Sequence, residues 1–417
     1  MDENKHHTGR KADSRIIDLS PALEEKERSE RAEEKRLAKA ERPSMLRRIL
    51  SLLLILVIVL GAVLVTIHWD RINFDALRRS ISYIGARQDD SGTAAAFSYD
   101  RGSANCFLTL GSQLVFVSNK EAVIYDQSGK ELFQTELKLE SPALAVGGGT
   151  AVAYDIGGRT LVAFNEKNVL LDLSDEDSIL YSATLNRSGW LAVTGQKKNQ
   201  RGSVTIYNAE MKKVLEFDSS SRFVVSAYVT EDCKYMVAQT MGQSDGVFVS
   251  DMAVYRLDSQ EQYGAFKLED AMVLSMGSIG GQTLCIADQK AVLAAPGGTV
   301  SGTYTYELPY LREYSVSGDG FAVLNLNRHR SGSSGILVSL GSEAQPIAQI
   351  DVSDEILMLS AAGRYTAALY ADRIVVYNKD LTEYASFPLT ETAEAVCMRD
   401  DGSVWKITAD EMSLLIP

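Results

Sequence analysis

Histidine and cysteine are scarce in these 417 residues, and their scarcity narrows the chemistry before any element is placed. His6, His7 and His68 fall in the first seventy residues, so His329 alone is left for the body of the chain. A His-based metal site or a Ser-His-Asp triad there would have to be built around that one residue, and a constellation rather than a single side chain makes such a site. The four cysteines, Cys106, Cys233, Cys285 and Cys397, are widely spaced with no CxxC pair, which excludes a zinc cluster and a dithiol redox motif. They read as small buried residues, with a disulfide between Cys106 and Cys397 as the alternative. No GxxxxGK[ST] or HExxH occurs. The acidic runs at Asp175–Asp177 and Asp351–Glu355 lack the alternating oxygen ligands and glycine of a calcium loop. They read as solvated turns, with several carboxylates meeting on one rim to hold a cation as the alternative. Neither a catalytic residue nor a cofactor or metal is expected.

Positive charge is also lacking over most of the chain. Residues 91–417 carry twenty-five Lys/Arg against forty Asp/Glu, an excess of fifteen negative charges, whereas residues 1–48 carry thirteen against eleven. Nucleic-acid binding needs a concentrated basic surface, so it is excluded as the main role.

One long apolar run is present. Ile49–Ile67, ILSLLLILVIVLGAVLVTI, has nineteen residues without a charge, about 28 Å as a helix, close to the thickness of a bilayer core. It is expected to span a membrane as an anchor, because it starts too far from the N-terminus for a cleaved signal and lacks a small-x-small site after it. Lys35, Arg36, Lys39, Arg42, Arg47 and Arg48 precede it and Arg71, Arg78 and Arg79 follow, which places residues 1–48 in the cytoplasm and the remainder outside. The expected location is therefore the cytoplasmic membrane, single-pass. Within the tail, Ser20 and Pro21 start a charged helix that Arg42-Pro43 ends; it either orients insertion or docks a cytoplasmic partner. Phe74, Leu77, Ile81 and Ile84 suggest a short juxtamembrane helix within residues 68–92, ending in the linker Asp89–Thr93.

From residue 93 onward the pattern repeats. Turns recur at Gly111, Gly148, Gly189, Cys233, Gly281, Gly320, Gly363 and Gly402, at intervals of 37, 41, 44, 48, 39, 43 and 39 residues. One strand after each comes an apolar run: AVIYD, LVAFN, VTIYN, MAVYR, AVLAA, ILVSL, IVVYN and MSLLI. Two landmarks thus count the same eight units, and about forty residues with four strands per unit is the mark of a β-propeller. The fold class is all-β, an eight-bladed β-propeller over residues 93–417, with seven blades plus an irregular unit as the alternative. The last unit holds only three strands, so Thr93–Tyr99 should supply its fourth and close the ring. Glu355–Ser360 is expected as the first strand of the seventh blade.

The turn Ser317–Gly320 resembles the inner hairpin of WD40-like and quinoprotein-like propellers. Ile124–Phe133, IYDQSGKELF, is similar to the quinoprotein-type repeat, with Asp126, Gly129 and Lys130 in place and Phe133 where that repeat has Trp. The layout of charged tail, single span and divergent propeller resembles an uncharacterised bacterial family of membrane-anchored proteins; that resemblance implies a fold and no activity.

Three loops between second and third strands are expected to be long: Gly195–Gly202, Met241–Asp251 and Asn327–Gly335. Two of them carry Lys197, Lys198, Arg201, Arg328, His329 and Arg330 on an acidic domain. Loops on a rigid scaffold are where binding evolves, and local basic charge favours an anionic partner; freely solvated loops are the plainer alternative. The expected function is an extracytoplasmic binding or assembly scaffold, not an enzyme, that takes a protein or cell-envelope partner on its loops. An enzyme of quinoprotein or glycan-processing type, or a transmembrane ligand sensor, is the alternative.

Overall fold

The computed structural model describes residues 28–32, 52–57, 59–60, 92–244, 247–259 and 261–417. The chain divides into two compact units, Met1–Phe74 and Asp75–Pro417. In the first, residues 28–32 are helical, inside the expected charged helix, and residues 52–57 and 59–60 are helical with apolar side chains that are all more than half exposed. Among the described residues no helix is long and apolar enough to cross a membrane. The rest of the expected span Ile49–Ile67, and the juxtamembrane helix, lie outside the described residues.

The second unit consists of eight four-stranded antiparallel sheets. Blade 1 is Asn105–Leu110, Gln113–Ser118, Glu121–Tyr125 and Glu131–Glu136; blades 2 to 7 follow in chain order with the same inner, second, third and outer succession. Blade 8 is Ala395–Met398, Val404–Ile407 and Glu411–Leu415, completed by Thr93–Ser98. That strand pairs antiparallel with the third strand from Thr93↔Leu415 to Ser98↔Glu411, so the two ends of the chain share one sheet, as the three-strand shortfall implied. Contacts between inner strands of successive blades, including blade 8 with blade 1, place those strands at the axis. The first strand of blade 7 begins at Met358, three residues later than expected, and Ile356 and Leu357 belong to the linker before it.

All eight repeat landmarks turn the chain from inner to second strand with positive φ: 62° at Gly111, 56° at Gly148, 79° at Gly189, 56° at Cys233, 78° at Gly281, 76° at Gly320, 53° at Gly363 and 90° at Gly402. Glycine takes that conformation without a Cβ clash, so the spacing seen in the sequence is the spacing of a steric requirement. Cys233 meets it at a cost.

Composition follows burial. Second strands are apolar without alternation because both faces of a blade are covered: Leu114–Val117 and Ala322–Leu326 are buried residue by residue. Outer strands alternate, as Gln262–Glu269 does, because only one side meets a neighbour. The apolar core is divided into eight clusters, each shared by two adjacent blades. One of them joins Phe107, Phe116 and Tyr125 of blade 1 to Trp405, Met412 and Leu414 of blade 8. Phe97 of the closing strand packs here, 5.0 Å from Tyr125 and 5.9 Å edge-on to Trp405 between ring centroids.

The cysteines are all free. Cys106 and Cys397 do lie on inner strands of adjacent blades, but they face apart. The thiol of Cys106 turns toward blade 2 and donates to the Pro142 carbonyl at 3.2 Å, whereas Cys397 is buried in the cluster between blades 8 and 1.

Two stability changes follow. Phe97→Ala should lower unfolding free energy by about 2 kcal/mol, a partly buried aromatic at the ring closure, measured by denaturant titration. Cys233→Gly should raise it by roughly 0.5–1 kcal/mol by removing a Cβ from the left-handed region.

Candidate partner-binding face

In an antiparallel meander, inner–second and third–outer turns share one face of the ring, and second–third turns share the other with the links between blades. The first is called here the turn face and the second the linker face. Thr93, where the chain joins the ring, pairs with Leu415 at the end of the third strand and so lies on the turn face. The basic residues singled out in the sequence all lie at or beside second–third turns, hence on the linker face.

Lys197 does not face solvent as a free cation. It is half-buried, ion-paired with Glu216 and, at 3.1 Å, with Asp218 on the outer strand of its own blade, and Lys213 approaches Glu216 at 2.7 Å. These groups line a cleft of about 300 Å³ between blades 2 and 3. Burial opposes the charge on Lys197, but the two carboxylates outweigh it and raise its pKa. Hydrogen bonds from Lys197 and Lys213 lower Glu216 to about 2.

Lys198 and Arg201 are exposed, with the Arg201 guanidinium 5.8 Å from the centre of the Phe223 ring. Arg328, His329 and Arg330 are exposed on blade 6, where the Arg330 carbonyl accepts from Arg312 Nη1 at 2.5 Å. Lys198, Arg201, Arg328 and Arg330 form no ion pair among the described residues. Blades 3 and 6 are separated by blades 4 and 5, so the fold puts the two basic groups on one face without joining them into one patch.

The third expected loop is a correction. Met241–Asp251 belongs mostly to strands: Tyr235–Ser244 and Val247–Arg256 pair continuously from Tyr235↔Arg256 to Ser244↔Val247. Gly, Ser and Asp in that segment suggested a loop, but alternate backbone pairing carries the hairpin beyond the blade.

Apolar residues on the linker face escaped the sequence reading. Ile156, Ile179, Phe223, Met272, Leu274, Tyr310 and Leu357 are 37–51 % exposed. They sit on blades 2 to 7, mostly at or just before the starts of inner strands, and since inner strands of neighbouring blades touch, those starts are neighbours around the mouth of the axis. Blades 8 and 1 present Glu394 and Asn105 at the matching places. The inner strands of blades 3, 4, 5 and 6 also carry a bulge near that end, at Tyr181, Val225, Leu274 and Arg312. Bulges re-aim side chains. Nothing in the alternation of a single strand reveals this crescent, because it is assembled from one or two residues per repeat.

The turn face is tied across instead. Arg187, in the inner hairpin of blade 3, donates to Asp319 Oδ1 and to the Gly318 carbonyl in that of blade 6, both at 2.7 Å. Asp319 N in turn donates to the Gly363 carbonyl of blade 7 at 2.7 Å.

Glu313, on the inner strand of blade 6, is half-buried, and burial raises its pKa against a smaller opposing pull from Arg312. A single such carboxyl does not make an acid–base pair. Among the described residues no group of three or more His, Cys, Asp or Glu is placed to hold a metal ion.

Residues 90–297 match the model of a family described as a family of unknown function, DUF5711. The expected resemblance to a family without an assigned activity therefore holds over those residues. No curated protein matches the chain. Among solved structures, the C-terminal WD40 domain of Sif2 is similar with a TM-score of 0.56 at 14 % identity, over 77 % of this chain and 97 % of that one. BamB from Moraxella catarrhalis gives 0.49 at 8 % identity over 78 % and 99 %, and the dihydro-heme d1 dehydrogenase NirN gives 0.49 at 13 % over 70 % and 67 %. The likeness to the WD40 domain is one of fold.

The clamp on Glu216 gives a pH dependence. A carboxyl lowered from 4.5 to about 2 contributes stability above pH 4.5 and loses it as pH falls toward 2. Thermal unfolding of the parent protein should therefore decline more steeply across that window than that of Glu216→Gln, with the two curves converging at its acid end.

Proposed function

We propose that this protein is a membrane-anchored, extracytoplasmic scaffold that binds a partner protein on the linker face of its propeller, with no catalysis of its own. The observation that carries the reading is the crescent of exposed Ile179, Phe223, Met272, Leu274, Tyr310 and Leu357 around the axis mouth. Scattered exposed apolar residues are ordinary on any protein; a neighbouring set on one face, edged by Lys and Arg that form no ion pair among the described residues, is what interaction surfaces look like. Val169, Val214, Tyr263, Val300 and Ile347 are exposed too, but they stand one per blade on outer strands, apart from one another.

Anchoring is supported by the uncharged run Ile49–Ile67 and the basic residues before it. The residues described within it, 52–57 and 59–60, are helical. With residues 1–48 in the cytoplasm, the propeller is outside. Since the chain joins the ring on the turn face, the crescent lies on the opposite one. A rigid ring offering one apolar face suits assembly with a protein already held at the membrane or in the envelope.

The test is photocrosslinking in cells from the intact protein, with the reactive residue at Leu274 or Leu357 and, as comparison, at Val169 or Ile347. One abundant partner captured from the first pair and absent from the second is expected. Capture from the outer strands alone, or from neither pair, would overturn this reading.

A further inference from the structure

Blade 4 departs from the others on the linker face. Its second and third strands, Tyr235–Ser244 and Val247–Arg256, have ten residues each. Pairing with the inner strand Phe223–Val229 stops at Phe223↔Met241, and pairing with the outer strand Gln262–Glu269 stops at Val249↔Glu269. The second and third strands nevertheless continue through Gly242↔Val249, Gln243↔Phe248 and Ser244↔Val247. The last rungs therefore form a two-stranded ribbon whose two edges pair with no other strand among the described residues. Gly242–Ser244 lies on the side toward the axis, and Val247–Phe248 on the side toward the circumference.

An unpaired edge is a template for an added strand, and proteins ordinarily guard one with Lys, Pro, a bulge or a cover. Residues 242–249, GQSDGVFV, contain no Lys, Arg or Pro, and the ladder there shows no register shift. The outer strands of blades 1 to 7, blade 4 included, each carry a bulge at the end next to the third–outer turn, which is the opposite end of the blade from the ribbon. The ribbon's own rungs have none.

Its axial edge continues the column of the inner strand, directly beyond Phe223. A strand added there would run over Phe223, with Leu274 of blade 5 on one flank and Ile179 of blade 3 on the other, all exposed apolar residues of the crescent. Charge favours one kind of occupant. Arg201 lies over Phe223, Lys198 belongs to the same turn as Arg201, and neither is ion-paired among the described residues, whereas residues 91–417 as a whole are acidic by fifteen charges. A segment carrying carboxylates is attracted here and repelled by most of the remaining surface.

We infer that the axial edge Gly242–Ser244, with Phe223 and Leu274 beside it, receives an extended segment of a partner protein by strand addition. The segment is one whose large apolar side chains alternate with carboxylates. Backbone hydrogen bonds to the edge hold it, the crescent takes its apolar side, and Lys198 and Arg201 meet its acidic side. The inference rests on the binding role proposed above and names the chemistry of the partner.

The test uses the purified full chain in detergent and a fluorescent nine-residue peptide of alternating Leu and Glu, followed by anisotropy. Saturable binding is expected. It should weaken by about tenfold or more when alternate peptide amides are N-methylated, when Glu is replaced by Lys, and in Phe223→Glu, a substitution at an exposed position whose fold is checked by circular dichroism. No saturable binding, or binding indifferent to N-methylation and to Phe223→Glu, overturns the inference. If partner capture at Leu274 in cells persists under that result, strand addition fails and the binding role stands; if capture is lost as well, both fail.

Discussion

Every blade of this protein borrows its core. The eight apolar clusters each lie between two sheets, so no blade can bury its two faces alone, and the last cluster exists only because Thr93–Ser98 completes blade 8 and brings it against blade 1. Closing the ring is therefore the condition on which the other packing depends. Two features serve it. Trp405, fully buried, anchors the junction, and Thr109 on the inner strand of blade 1 donates to the Met398 carbonyl of blade 8 at 3.0 Å.

Within that constraint the turns are chosen for steric reasons and the strands for their neighbours. Positive φ at all eight inner hairpins explains why glycine recurs there. Third–outer turns use a second device: Asp126 Oδ1 accepts from the amides of Ser128 and Lys130, and Asn208 Oδ1 likewise from Glu210 and Lys212. Those caps account for the Asp or Asn after the third-strand apolar runs of blades 1 and 3, the first of them in the stretch Ile124–Phe133 that resembles the quinoprotein-type repeat. The resemblance is thus a resemblance of turn chemistry, consistent with a likeness of fold to WD40 propellers.

The same topology gives the two faces different characters. The turn face receives the chain and is bridged across by Arg187, while the linker face is left with longer hairpins, bulged inner strands and apolar side chains at the axis mouth. Exposed salt bridges such as Arg187–Asp319 contribute little stability; this one joins loops of blades 3 and 6 that the sheet order keeps apart. The scaffold reading follows from that asymmetry more than from any single residue, since the basic side chains that first suggested a binding face divide on inspection. Lys197 is consumed by Glu216 and Asp218, whereas Lys198, Arg201, Arg328 and Arg330 have no ion-pair partner among the described residues.

Blade count, closure by Thr93–Ser98 and turn positions were all legible in the sequence. Each is set by local sterics or by a two-residue alternation that repeats, and such signals add up over eight copies. The sequence also marked Lys198 and Arg328 correctly as exposed, because Gly- and Ser-rich neighbours have no core to join. It took the folded ring to show that Cys106 and Cys397 face apart, that Met241–Asp251 is mostly strand and that apolar residues from blades 3 to 7 meet around one mouth. Those outcomes depend on which face of a strand a bulge presents and on which strands end first. A linear pattern does not contain that information, because the residues involved lie a whole repeat apart and become neighbours only when the ring closes.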